Sequence, residues 1–161
     1  MRITIYNTEM DEDKKPFLIK EKAVNYSTTD KLNSPDKIVK MFNEIFRAMW
    51  KTEEHTWIIA FNSQFHPVGV FEISHGTVNA SLLSPREIFI RLLLCGATRF
   101  VTVHNHPSGN SNPSTEDKKI TEALTQMGKL MDILLLDHII IGENEFFSFA
   151  QNGYIEGVNA K

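Results

Sequence analysis

The chain has 161 residues, 42% of them apolar and 23% charged, with a formal net charge of −3 and a pI near 6.1. These values fit one globular core and argue against a dominant basic face for nucleic acid. No apolar run approaches the roughly 20 residues that span a bilayer. The N-terminal "MRITIYNTEMDEDKK" lacks a secretory pattern, and the single cysteine, Cys95, builds neither a disulfide framework nor a Cys-rich zinc knuckle. A cytoplasmic protein with no membrane partner is expected.

Residues 1–33 hold short β-like runs, "RITIYN" and "FLIKEKAVNY", broken by acidic and polar residues. They read as an irregular N-terminal arm or a hairpin ahead of one domain over 34–161. A first helix starts at "NSPDK", where Ser34 can cap and Pro35 suits the first position, whose N–H would be unpaired anyway. Ile38, Met41, Phe42, Ile45, Phe46 and Met49 recur at helical spacing and give it one apolar stripe. Three β-like runs follow: "TWIIAFN", "PVGVFEIS" and "TVNASLL".

"SPREIFIRLLLCG" predicts a second helix. Ser84 and Glu87 match a capping box, Pro85 takes the first position, and Gly96 can end it. "TRFVTVHNH" is then a strand, residues 114–130 a third helix, "DILLLDHIII" an apolar strand covered on both sides, and "EFFSFA" a last strand. The expected fold class is α/β, a mixed sheet with helices packed on its faces.

The chemistry concentrates in "HNHPSGNSNPSTED", residues 104–117. Side chains two apart on a strand share a face, so His104 and His106 can present two imidazoles to one point. Pro107 ends the strand. The polar loop returns the chain to a helix whose first turn holds Asp117. Two histidines and a carboxylate form a three-ligand set, which in zinc sites leaves a fourth position open for water. A proton acceptor is still needed. Glu72 is the candidate, because a carboxylate in an apolar strand run is costly unless something compensates it. Glu54 and Glu87 are rivals: Glu87 matches the cap, and Glu54 lies in a charged turn. Ordinary readings stand beside these. An H-x-H pair alone is often a surface or core pair, and S-x-x-D before an apolar helix is often only a cap.

The joint pattern of H-x-H-P, six residues, S-x-x-D and an upstream glutamate resembles the JAMM metalloprotease signature. With "GTVNASLLSPREIF", Ile120-Thr121 and "LLDHIIIG", it is more closely similar to the RadC family, over about 56–149. The resemblance implies a cytidine-deaminase-like α/β/α sandwich of the JAMM/MPN type. It implies one zinc per chain, with His104, His106 and Asp117 as metal ligands. Glu72 would be the general base and Ser114 a donor to the tetrahedral oxyanion. The implied reaction is hydrolysis of an amide or isopeptide bond in a peptide or protein substrate. Longer RadC proteins carry a DNA-associated helix-hairpin-helix region, which residues 1–33 do not supply. A non-catalytic module binding protein or DNA, and a nucleic-acid-processing metalloenzyme, are the competing functions.

Other metal folds fit poorly. Zinc deaminases need H-x-E with P-C-x-x-C, H-E-x-x-H is absent, and a (β/α)₈ barrel needs about 250 residues. His138 reads as a core histidine or a group near the site. His55, His66 and His75 read as solvated turn residues, and Cys95 as a small buried hydrophobe.

Overall fold

The computed structural model describes residues 1–27, 31–76 and 83–155. Its elements are β1 (Arg2–Met10), β2 (Pro16–Asn25), α1 (Pro35–Phe46), β3 (Glu54–Phe61), β4 (Pro67–Gly76), α2 (Pro85–Leu94), β5 (Arg99–Asn105), α3 (Thr115–Met131), β6 (Leu134–Ile141) and β7 (Phe146–Ser148). The "TVNASLL" run lies almost wholly outside the described residues. The strands form one seven-stranded mixed sheet in the order β2-β1-β4-β3-β5-β6-β7. β5 and β6 are parallel and β3 pairs antiparallel with both β4 and β5.

Two apolar layers follow from strand alternation. Trp57, Ile59, Phe61, Val101, Val103, Ile139 and Ile141 face α1, whose Ile38, Met41 and Phe42 are buried against them. Ile58, Ala60, Phe71, Phe100 and Ile140 face the other way, onto Ile88, Phe89 and Leu92 of α2 and Leu124 of α3. The protein is therefore an α/β/α sandwich with a mixed sheet. Each fully buried Phe, Ile or Leu contributes about 1.5–3 kcal/mol of transfer free energy.

The N-terminal segment is more regular than its broken pattern suggests. β1 and β2 form an antiparallel hairpin, β1 joins β4 at Ile5↔Val70, and Ile3 and Ile5 enter the α1-side core. Capping also differs from expectation. Neither Ser34 nor Ser84 makes a side-chain cap hydrogen bond. Glu87, expected in a capping box, instead pairs with Arg86 and Arg91. Met49, placed on the first helix by its spacing, falls in a short 3-10 turn after Arg47 adopts left-handed φ and ends α1.

Candidate metal centre

β5 delivers His104 to the edge of the α2/α3-side core. The ring is buried, and Thr56 on β3 is its cross-strand partner. His106 follows directly, and its N–H still donates to Ile141 O at 2.9 Å, prolonging the β5–β6 pairing past the end of the strand. The loop then docks on the β6–β7 turn. Gly109 N donates to His106 O, Glu143 N donates to Gly109 O, and the Ser111 hydroxyl donates to Glu145 Oε1. Gly109 takes φ +80°, and a Cβ on Gly142 would sit 2.5 Å from Gly109 O, so both glycines are required by this close approach. The docked loop brings Asn110 O to 2.8 Å from His106 Nδ1.

Asp117 arrives from the first turn of α3, where the capping box is fully formed. Asp117 N donates to Ser114 Oγ at 3.0 Å, while Ser114 N and Oγ donate to Asp117 Oδ2 at 2.7 and 2.6 Å. The capping role and the converging role expected of this pair therefore coexist.

The candidate ligand atoms of His104, His106 and Asp117 all lie within 4.8 Å of one another. His104 Nε2 is 3.0 Å from His106 Nε2 and 3.3 Å from Asp117 Oδ1, and His106 Nε2 is 3.7 Å from Asp117 Oδ2. Tetrahedral zinc with bonds of about 2.0–2.1 Å separates its ligands by about 3.3 Å, a spacing that the separations of 3.0 to 3.7 Å bracket, counted to the nearer Asp117 oxygen in each case. The donor chemistry agrees. His106 Nδ1 must donate to the Asn110 carbonyl, which leaves Nε2 of the neutral ring as a bare lone pair pointing at His104.

His104 is held from behind. Its Nδ1 is 2.9 Å from His138 Nε2, and His138 Nδ1 is 2.6 Å from Thr121 Oγ1, which donates to Asp117 O at 2.6 Å. Of its two expected readings, His138 fits both: it is buried, stacked on Phe149, and touches the centre.

The electrostatics follow from burial and the Asp117 charge. Burial and the neighbouring His138 push His104 well below the ordinary histidine range. Burial brings His138 down to about 4. Burial also works against a charged His106, but the Asp117 hydrogen bond, the Asn110 carbonyl and the charges of Asp117 and Glu54 together raise it. Burial would raise Asp117, yet His106, His104 and the Ser114 donors hold its carboxyl well below the usual carboxylate range.

The structure does not bring Glu72, the expected general base, to the face that carries His104. Glu72 opposes Trp57, whose ring belongs to the α1-side core, so its side chain leaves the sheet on the face opposite His104. A register shift, with Ile73 as the extra residue, puts it there. Its Oε1 lies 2.6 Å from His55 Nδ1 and 3.5 Å from His75 Nδ1. These three form a second group with converging ligand atoms, more exposed than the first. His55 and His75 are thus a cross-strand pair on β3 and β4, not turn residues.

Glu54, the rival to Glu72 in the sequence, is the glutamate on the His104 side of the sheet. It lies two residues before Thr56, the partner of His104, and so shares the His104 face; extending the register places it opposite His106. Its Oε2 is buried with no hydrogen-bond partner among the described residues. Burial raises its pKa, with the His106 charge opposing and the Asp117 charge adding to the effect. Asn105 fixes this strand start: its Oδ1 accepts from His55 N at 2.8 Å and its Nδ2 donates to Glu53 O at 3.0 Å. The one sequence signal for Glu54 was its place in the alternating series Glu54, Thr56, Ile58, Ala60.

An α/β/α sandwich with a converging His-His-Asp cluster at the strand-to-helix turn is the arrangement of a JAB/MPN-type domain. The RadC-like JAB domain model matches residues 32–154, and the chain belongs to that family. It is 38% identical over 121 residues to a UPF0758 protein of Alkaliphilus metalliredigens, covering 75% of this chain and 51% of that one. A UPF0758 protein of Caldanaerobacter subterraneus is 32% identical over 140 residues, covering 87% and 58% respectively. A third, of Clostridium acetobutylicum, is 34% identical over 134 residues, covering 83% and 58%. The chain thus spans about half the length of the curated relatives it matches. None of its helices among the described residues is long and apolar enough to cross a membrane.

Proposed function

We propose that this chain is a zinc-dependent hydrolase of amide or isopeptide bonds, acting on a peptide or protein substrate. One observation carries the reading: two imidazole Nε2 atoms and a carboxylate converge on the face that also holds a buried carboxylate oxygen with no hydrogen-bond partner among the described residues. His104, His106 and Asp117 would hold the ion, and an N₂O donor set suits zinc. Bound there, zinc would supply a Lewis acid for the scissile carbonyl and a water of lowered pKa.

The chain's own groups do the rest. Glu54, in place of Glu72, takes the proton of the attacking water and returns it to the leaving nitrogen. Its raised pKa suits a group that must both accept and release a proton near neutral pH. Ser114 can turn its hydroxyl proton from Asp117 Oδ2 to the developing oxyanion, since the Ser114 N–H stays on Oδ2.

The test is elemental analysis paired with assays on peptide and isopeptide-linked fluorogenic substrates. About one zinc per chain is expected in the wild type, none in His106→Ala, and hydrolysis only in the former. A folded wild type that takes up no zinc would overturn the reading.

A further inference from the structure

We propose that Thr121 and His138 are positioning residues that fix the tautomer of His104, so that its Nε2 lone pair is free at the centre. The proposal rests on the metal-centre reading for its purpose, but the tautomer itself is a property of the metal-free chain.

The hydrogen-bond directions are forced one after another. Thr121 Oγ1 lies 2.6 Å from Asp117 O and 2.6 Å from His138 Nδ1, and both contacts need a proton between the heavy atoms. A carbonyl has none to give, so the single hydroxyl proton goes to Asp117 O. His138 Nδ1 must then be the donor to Thr121. A neutral buried imidazole carries one N–H, so His138 Nε2 is an acceptor. Among the described residues, the donor facing it is His104 Nδ1, at 2.9 Å. His104 Nε2 is left unprotonated, 3.0 Å from His106 Nε2.

The opposite arrangement would place bare lone pairs of Thr121 and His138 against each other at 2.6 Å. It would also aim His104 Nε2–H into the ligand triangle. The origin of the chain matters as well: Asp117 supplies a carboxylate oxygen to the triangle and a backbone carbonyl to the relay. One helical turn, Asp117 to Thr121, therefore sets both a ligand and the proton position of another ligand 13 residues upstream of Asp117.

The experiment uses ¹⁵N-histidine NMR on the metal-free protein and zinc affinity by competition with a chromophoric chelator. In the wild type, His104 is expected to show a protonated Nδ1 and an unprotonated Nε2. Thr121→Val removes the acceptor while keeping the shape. The expected result is a mixed or reversed His104 tautomer and roughly 10–100-fold weaker zinc binding. Thr121→Ser, which restores the hydroxyl, is expected to return both readouts to wild type. A merely structural threonine would not move the His104 nitrogen shifts.

An unchanged His104 tautomer in a well-folded Thr121→Val protein overturns the proposal. So does an Nε2-protonated His104 in the wild type. If Thr121→Val does not fold, His138→Gln and His138→Phe carry the test. The glutamine oxygen can accept from His104 Nδ1 and should keep the tautomer, whereas phenylalanine should lose it. Equal His104 spectra from those two variants overturn the proposal. A wild type that shows the expected tautomer but binds no zinc defeats the hydrolase reading alone.

Discussion

His104 Nε2 lies 3.0 Å from His106 Nε2, although the other nitrogen of each ring already has its own partner behind it. Two neutral rings so held would repel, so either a proton or a cation belongs between them. The raised pKa of His106 is the proton's version of this, sustained by Asp117 against burial. Metal and proton therefore compete for one position. The sign follows: as pH falls through the folded pKa of His106, above its ordinary 6.5, zinc must displace a proton and binds more weakly. Affinity should drop about tenfold per pH unit below that pKa, with about one proton released per ion bound. Calorimetry in buffers of different ionisation enthalpy counts the proton.

Glu54 and Glu72 separate cleanly by face, and mutation should separate them too. Glu54→Gln is expected to keep its zinc and lose roughly 100- to 10,000-fold in kcat, the usual worth of a general acid–base group. Glu72→Gln is expected to keep both zinc and turnover within about threefold. Its half-exposed contact with His55 is a surface pair, so the stability change should stay under about 1 kcal/mol. Loss of turnover in Glu72→Gln with full activity in Glu54→Gln would reverse the assignment.

Ser114 has two roles that respond to different assays. Removing the hydroxyl deletes an N-cap, worth about 1 kcal/mol of stability. It also deletes the oxyanion donor, worth roughly 100- to 1,000-fold in kcat. Ser114→Ala should therefore lower the melting temperature slightly while turnover falls far more. Ser114→Thr keeps cap and hydroxyl and should recover most of both. Steady-state kinetics at temperatures well below melting keep the two effects apart.

The convergence of His104, His106 and Asp117 was legible because the three are tied by local rules. His104 and His106 share a face by strand period, and Asp117 is brought back by a short loop and a cap. Which glutamate shares their face was not legible, because that depends on register. Glu54 and Glu72 lie on neighbouring strands, 50 and 32 residues before His104, so separation in sequence does not choose between them. Only the pairing of Thr56 with His104, and the extra residue at Ile73, decide which carboxylate turns toward the centre. Thr121 was hidden because it reads only as a helix position, whereas His138 was read as a core histidine or a group near the site without its partner being named. The hairpin of β1 and β2 was half legible. Its polar residues blurred the alternation, and its Ile3 and Ile5 gain meaning only against β4 and α1.

Gly142 links the loop geometry to the ligand geometry. A methyl group there would meet Gly109 O at 2.5 Å, which is backbone and has little room to move. Gly142→Ala should lift the 107–111 loop from the β6–β7 turn and pull Asn110 O away from His106 Nδ1. The expected cost is about 1–3 kcal/mol of stability, the usual range for overpacking. Zinc binding should weaken as His106 loses its orienting acceptor, roughly 10–100-fold. Ser111→Ala, which breaks only the bond to Glu145, should do neither to the same extent.

Asp137, next to His138, gives a prediction about stability rather than about metal binding. Burial pushes its carboxyl up to about 6, against the Ser148 hydroxyl at 2.6 Å and the N–H groups of Ala150 and His138, all of which favour the charged form. A carboxyl whose folded pKa exceeds its unfolded value contributes stability that is complete below the unfolded pKa of about 3.9 and lost as pH rises through the folded one. Stability from this group should thus decline between about pH 4 and 6 and then level off, by at most about 3 kcal/mol for a shift of about two units. Asp137→Asn keeps an oxygen for the two N–H donors and places an amide against Ser148. It should flatten this decline and raise the melting temperature at pH 7–8 relative to wild type. A variant that is instead less stable than wild type at pH 8 would show that the three donors outweigh burial and that Asp137 is held as a low-pKa carboxylate.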